Sequence, residues 1–211
     1  RTRAVGPEVD SAPAAPWPAT AAALPGPTTL NPKVLIAEIH THNDPVFVNV
    51  VRRQIAVCRS EARALSLACI VVRPEDEADR LALCGSRDNG LALWQQKMVQ
   101  WLAEHPQVVE PYAFLTTEGE LVLCLLDLER SETTSLLRHG LLEVLLGRPV
   151  DDDSGTSLAK VSLPARYHAG IATSSSPGAS LSPQQLIEAA VRCLTAARSL
   201  GKGSMKSIEV Y

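Results

Sequence analysis

Aromatic side chains are scarce, with three Trp, three Tyr and two Phe among 211 residues. No run of Lys and Arg is interleaved with such rings, and neither sign of charge dominates, since 20 Lys and Arg stand against 23 Asp and Glu. Without a basic field or stacking platform the chain has no means of holding a phosphodiester backbone, so nucleic acid is not expected as a partner. Long apolar runs are also missing. Leu65 to Val72 and Leu121 to Leu126 have the length of strands and are too short to cross a bilayer, so no membrane contact is expected of this segment. The cysteines (Cys58, Cys69, Cys84, Cys124 and Cys193) are odd in number and include no CxxC pair. With Cys69, Cys124 and Cys193 inside apolar runs, they read as buried, reduced thiols of a cytoplasmic protein. A G-x-S-x-G elbow is absent, which removes support for hydrolase chemistry. The first residue is Arg, and the opening segment lacks the apolar core of a signal peptide. The sequence therefore reads as a piece of a longer protein, which leaves an upstream sensor or membrane module open.

What is present is enough apolar content, 45%, to bury a full core. Residues 1–32 carry Pro7, Pro13, Pro16, Pro18, Pro25, Pro27 and Pro32 among alanines and read as an extended linker. The folded domain is expected over residues 33–211. Val34 to Ile39 suits a strand, and Asp44-Pro45 suits the cap and first position of a helix over 45–62, with Phe47, Val51, Ile55 and Cys58 on one face. Ser66 to Val72 is apolar after its first residue, as in a central strand covered on both faces.

After a charged stretch from Arg73 to Asn89, Leu91, Trp94, Met98, Trp101 and Leu102 mark the core face of a second helix, which His105-Pro106 ends. Val108 to Leu115 and Glu120 to Asp127 form a hairpin around Thr116-Thr117-Glu118-Gly119. Ser131 is expected to cap the next helix, which Gly147-Arg148-Pro149 stops. Asp151, Asp152 and Asp153 fall in a solvated loop, because adjacent loop carboxylates point apart rather than converge on a metal. A strand follows in Lys160 to Ala172, strongest from Tyr167. Ser182-Pro183-Gln184-Gln185 then opens a helix with a capping box, Gly201 ends it, and Ser207 to Tyr211 makes a last strand. The central order, β-α-β-β-α-β, predicts an α/β (α+β) fold with a ferredoxin-like core, helices on one face of the sheet, and an extra C-terminal helix and strand.

The segment Leu186 to Gly203 resembles the closing signature of diguanylate cyclase (GGDEF) domains, L-x-x-A-D-x-A-L-Y-x-A-K-x-x-G-R-N. Ala190, Leu194, Ala197 and Gly201 match it, and Arg198 and Lys202 keep the charge of the Lys and Arg in that pattern. His168-Ala169-Gly170-Ile171-Ala172 is similar to the preceding S-x-G-x-A strand at Gly170 and Ala172. The resemblance spans about residues 40–211. It implies a fold whose active members hold GTP and divalent metal in two half-sites and condense the pair to cyclic di-GMP. That phosphoryl transfer needs carboxylates to hold metal against the triphosphate.

On this alignment the D-x-D metal carboxylates fall on Val71-Val72-Arg73, and the G-G-D/E-E-F hairpin falls on Thr117-Glu118-Gly119-Glu120-Leu121. Glu120 alone matches among the acids. Glu118 is one residue out of phase and so faces away. The R-x-x-D product-inhibition motif falls near Val108-Val109-Glu110-Pro111 and is absent, and Pro74 to Asn89 offers no counterpart to the guanine-reading Asn and Asp. The resemblance thus implies a degenerate, catalytically inactive signalling domain that acts on another protein or a second copy of itself. The first alternative is a sensor binding GTP or cyclic di-GMP through Glu120, Arg198 and Lys202, and the second is an active cyclase. For Arg198 and Lys202 the plainer reading is cations placed against a helix C-terminus. His40 and His42 lack a third local ligand, so no metal site is expected there. No cofactor is expected; GTP and Mg²⁺ belong to the alternative readings.

Overall fold

The computed structural model describes residues 35–76, 78, 80, 83, 92–147 and 165–211. The expected linker over 1–32, the aspartate loop at 151–153, Cys84 and most of the 73–89 stretch lie outside them. Six strands form one mixed sheet: β1 (Leu35–Ile39), β2 (Leu65–Pro74), β3 (Val109–Thr116), β4 (Leu121–Leu126), β5 (Ala165–Ser174) and β6 (Ser204–Glu209). Four helices stand between them: α1 (Pro45–Glu61), α2 (Leu93–Glu104), α3 (Arg130–Leu146) and α4 (Pro183–Leu200). The sheet order is β1-β3-β4-β2-β5-β6, with β2 antiparallel to both neighbours and the two edge strands parallel to theirs. Removing β1 and β6 leaves the ferredoxin-like core.

The helices cover both faces rather than the single face expected. Alternate residues of β2 explain why: Leu65, Leu67, Cys69 and Val71 face α1 and α4, whereas Ala68 and Ile70 face α2 and α3. A strand apolar in both registers leaves one face wet unless a second layer covers it. Trp94, Met98 and Leu102 supply that layer, and Trp101, assigned to the same buried stripe from sequence, is half-buried and donates to Glu143.

Local signals place the remaining elements. Asp44 caps α1 by accepting from Val46 N at 2.9 Å, and Ser182 accepts from Gln185 N while Gln185 reaches back to Ser182 N. Helix α3 begins one residue before the Ser131 expected to cap it: Glu129 is at the cap and its N–H is taken by Glu132 at 2.8 Å. Strand β6 starts three residues earlier than the apolar pattern suggests, because its backbone pairs with β5 from Ser204 onward. In β3 the register slips between Val109 and Tyr112, where Pro111 lacks an N–H for the ladder. Cys58, Cys69 and Cys124 are buried as expected, while Cys193 is half-buried.

Gly170 sets the distance between sheet and helix. A Cβ there would meet Leu194 N at 2.0 Å and Ala190 O at 2.3 Å, so the α4 backbone rests directly on β5. That contact carries the C-terminal end of α4, and with it Arg198, to the end of the sheet where β2 finishes and β4 and β5 begin.

Candidate functional site

The β3–β4 turn is built for a fixed carboxylate beside it. Gly119 takes φ of 80°, its N–H donates to Thr116 O, and its own carbonyl accepts from Gln95 Nε2 of α2 at 3.0 Å. Thr116 Oγ1 accepts from Glu120 N at 3.1 Å. The next residue, Leu121, pairs with Ile70, so Glu120 stands level with Val71 on the α1/α4 face.

Glu120 is 3% exposed. Its Oε1 accepts from Arg198 Nη2 at 2.5 Å. Its Oε2 has His42 Nε2 at 3.1 Å, an ion-pair distance lying off hydrogen-bond alignment. The His42 ring, with Arg198 behind it, holds the Glu120 carboxyl below the usual glutamate range against the opposing effect of burial. Cys69 Sγ lies 3.9 Å from the same His42 nitrogen, and burial, followed by the Glu120 charge, pushes its thiol well up. The turn is also tied to β1, since Thr117 donates to His40 O at 2.9 Å. Glu118 is exposed at the tip.

Of the three candidate residues, the fold joins Glu120 to Arg198 and sets Lys202 apart. Lys202 pairs with Glu75 just beyond β2, and Arg166 reaches the same carboxylate oxygen with Nε at 3.4 Å. Lys202, with Arg166 also contributing, holds the Glu75 carboxyl below its ordinary value. Arg73 and Arg166 are direct cross-strand partners, and the next pair on that face is Val71 with His168. His168 is 8% exposed and its Nδ1 has no partner. Burial, helped by Arg198, Arg73 and Arg166, lowers its pKa, while a hydrogen bond to the Ala197 backbone opposes the shift.

His42, Glu75, Arg73, Arg166 and His168 therefore join the candidate residues. His42 and Arg73 were visible in sequence, but their partners lie too far along the chain for spacing to reveal. The Asp44 carboxylate, which had suggested a local cluster with His40 and His42, is engaged by the Val46 and His40 backbone. Among the described residues no group of three or more His, Cys, Asp or Glu is arranged to hold a metal. A cleft of about 400 Å³ among Glu129, Arg130, Ser131, Ser175, Glu209 and Tyr211 opens at the opposite end of β5 and shares none of these groups.

This arrangement of sheet, hairpin and helices recurs in solved structures. The GGDEF domain of DgcB from Caulobacter crescentus, in complex with c-di-GMP, aligns at TM-score 0.54 and 15% identity over 76% of this chain and 85% of that one. The chain has the GGDEF-domain fold. The active GGEEF domain of a Vibrio cholerae diguanylate cyclase aligns at TM-score 0.54 and 11% identity, covering 78% and 95% of the two chains. The diguanylate cyclase SiaD of Pseudomonas aeruginosa, in complex with its activator SiaC, aligns at 0.50 and 13% over 78% of this chain and 57% of SiaD. No family model and no curated protein matches the sequence. Among the described residues no helix is long and apolar enough to cross a membrane.

Proposed function

We propose that this GGDEF-fold domain is catalytically inactive and works in the cytoplasm as a regulatory module, passing a signal by contact with another protein or a second copy of itself. The observation that carries this reading is the state of Glu120. The one acid matching the hairpin motif is buried, with Arg198 on one oxygen and His42 beside the other, so its charge is already neutralised within the chain. At the end of β2, where metal carboxylates would be needed, stand Val71 and Arg73. Replacing acids by a cation there opposes rather than favours a divalent ion. SiaD, a diguanylate cyclase bound to an activator protein, supports contact with a partner as a use this fold allows.

A second reading, a sensor for GTP or cyclic di-GMP without turnover, is favoured by the cations gathered at this end of the sheet: Arg73, Arg166, Arg198 and Lys202. Thermal melting separates the two. Under the contact reading neither nucleotide at millimolar concentration moves the transition. Under the sensor reading a nucleotide raises it, and the double substitution Arg198→Ala with Lys202→Ala abolishes the rise.

A further inference from the structure

The last strand of a sheet carries a row of backbone donors and acceptors with no partner, and such a row pairs readily with another strand unless it is charged, bent or covered. β6 is an edge of this kind, since β5 lies on one side of it and no described strand lies on the other. Val210 N donates to Thr173 O at 2.8 Å, and Thr173 stands opposite Glu209. In a parallel ladder the residue opposite such an acceptor turns its own N–H and C=O to the other side. Glu209 therefore faces out of the sheet, and so do Ser207 and Met205 at intervals of two. Their N–H and C=O groups have no partner among the described residues. The row is not charged along its length, because Lys206 is the only cation in the strand. Beside it stand two large apolar side chains open to solvent, Ile208 at 43% and Tyr211 at 89% exposure.

We propose that β6 pairs antiparallel with β6 of a second copy of this chain, about a two-fold axis normal to the sheet at Ile208, and so joins the two sheets into one. In this register Ser207 faces the partner's Glu209, and each such pair exchanges both N–H···O bonds through the outward groups. A register displaced by one residue sets outward groups against inward ones and forms no ladder. Ile208 meets the partner's Ile208 at a position of closest approach, and Tyr211 lies across from the partner's Met205, a favourable contact of sulfur with a ring. Lys206 is carried away from its own counterpart and lays its methylene stem over the partner's Val210. The Glu209 carboxylate stays on its own copy, accepting from Ser175 N at 2.9 Å and Ser175 Oγ at 2.7 Å. The α4 helices also clear one another. Each rests on β5 at Gly170, and the two β5 strands stand about 14 Å apart at three strand spacings, beyond the roughly 8–10 Å of packed helices. The proposal rests on the contact reading above and names the surface and the partner it uses.

The test is sedimentation of the whole 211-residue chain from micromolar to millimolar concentration. A monomer–dimer equilibrium is expected. Ile208→Lys and Ile208→Glu, each alone, weaken it about tenfold or more, because each uncovers the central apolar contact and sets like charges face to face. Mixing the two variants restores the dimer. Under mild oxidation Ile208→Cys forms a disulfide with itself, mapped by mass spectrometry, since facing residues of this kind stand about 4.5 Å apart at Cα, whereas Lys206→Cys does not. Circular dichroism confirms that each variant keeps its fold, which an exposed edge position allows. A chain that stays monomeric at millimolar concentration overturns the pairing and leaves contact with another protein standing. A dimer that Ile208→Lys does not weaken, or one that Lys206→Cys locks as readily as Ile208→Cys, also overturns it. Cyclic di-GMP formation would refute inactivity and leave the pairing untouched.

Discussion

Substituting Arg198 by Ala removes the hydrogen-bonding cation from a carboxylate that is 3% exposed. Breaking a fully buried ion pair by deleting one partner costs about 3–5 kcal/mol, because the remaining charge is stranded. Two features reduce that figure. The Arg198 side chain is 36% exposed, so water already screens part of its interaction. His42 also stays 3.1 Å from the other oxygen. What remains is close to the cost of one buried charged acceptor left unsatisfied, about 1–3 kcal/mol, or a fall in melting temperature of roughly 2–4 °C per kcal/mol for a domain of this size.

The pH dependence follows from the sign of the shift. Glu120 has its carboxyl lowered in the folded state, so the stabilisation it brings is complete above the ordinary glutamate value of about 4.3 and disappears as pH falls through the lowered folded value. Urea denaturation of wild type and Arg198→Ala at pH 7 and at successively lower pH measures this directly. The gap is expected to be full at neutral pH and to close in acid, and Glu120→Gln with Arg198→Ala is expected to be more stable than Arg198→Ala alone. A gap under about 0.5 kcal/mol at pH 7, or one that persists unchanged into acid, refutes the assignment of Glu120 as a buried, internally neutralised charge.

Gly170→Ala is expected to destabilise the domain by about 3 kcal/mol or more, at the upper end of overpacking costs, because the added Cβ meets α4 backbone that cannot rotate away; a melting temperature within 2 °C of wild type, on the order of 1 kcal/mol or less, contradicts the close approach. Among the described cysteines, Cys193 should react first with a thiol reagent under native conditions. Burial pushes Cys58 up to about 11 and Cys124 to about 12 and raises the buried Cys69 thiol as well, whereas Cys193 is only half-buried, and Arg192 and Lys206 oppose the rise that burial causes there. Mass spectrometry of partly modified protein reads the order, and early labelling of Cys69 or Cys124 would show that the sheet opens on the α1/α4 face.

The elements legible in the sequence are those whose signals are local. Asp44-Pro45, the Ser182 to Gln185 box and the Gly119 turn each fix a boundary within a few residues, and the apolar run of β2 declares a central strand. The face of the sheet on which each helix packs was not declared in the same way. The Trp94, Met98 and Leu102 stripe says only that α2 buries one side, and the even-numbered residues Ala68 and Ile70 of β2 had to be weighed with it to require a second layer. The candidate site was half legible. Glu120 and Arg198 were found through motif resemblance, and they do meet. Lys202 was grouped with them by the same motif resemblance, but the chain leaves α4 at Gly201 and turns it toward Glu75 instead. Glu75 and Arg166 went unremarked and His168 entered only as the start of a motif strand, because what makes them notable is a strand pairing and an ion pair spanning some ninety residues of sequence or more.

The central claim is that the acids needed for metal-assisted condensation of GTP are missing at the end of β2 and neutralised at Glu120. Incubation of the purified chain with GTP and saturating Mg²⁺ or Mn²⁺, followed by chromatographic quantitation of cyclic di-GMP alongside an active cyclase, tests it most directly. The prediction is no product above the protein-free control at any protein concentration. Cyclic di-GMP accumulating in proportion to protein and dependent on metal would contradict it.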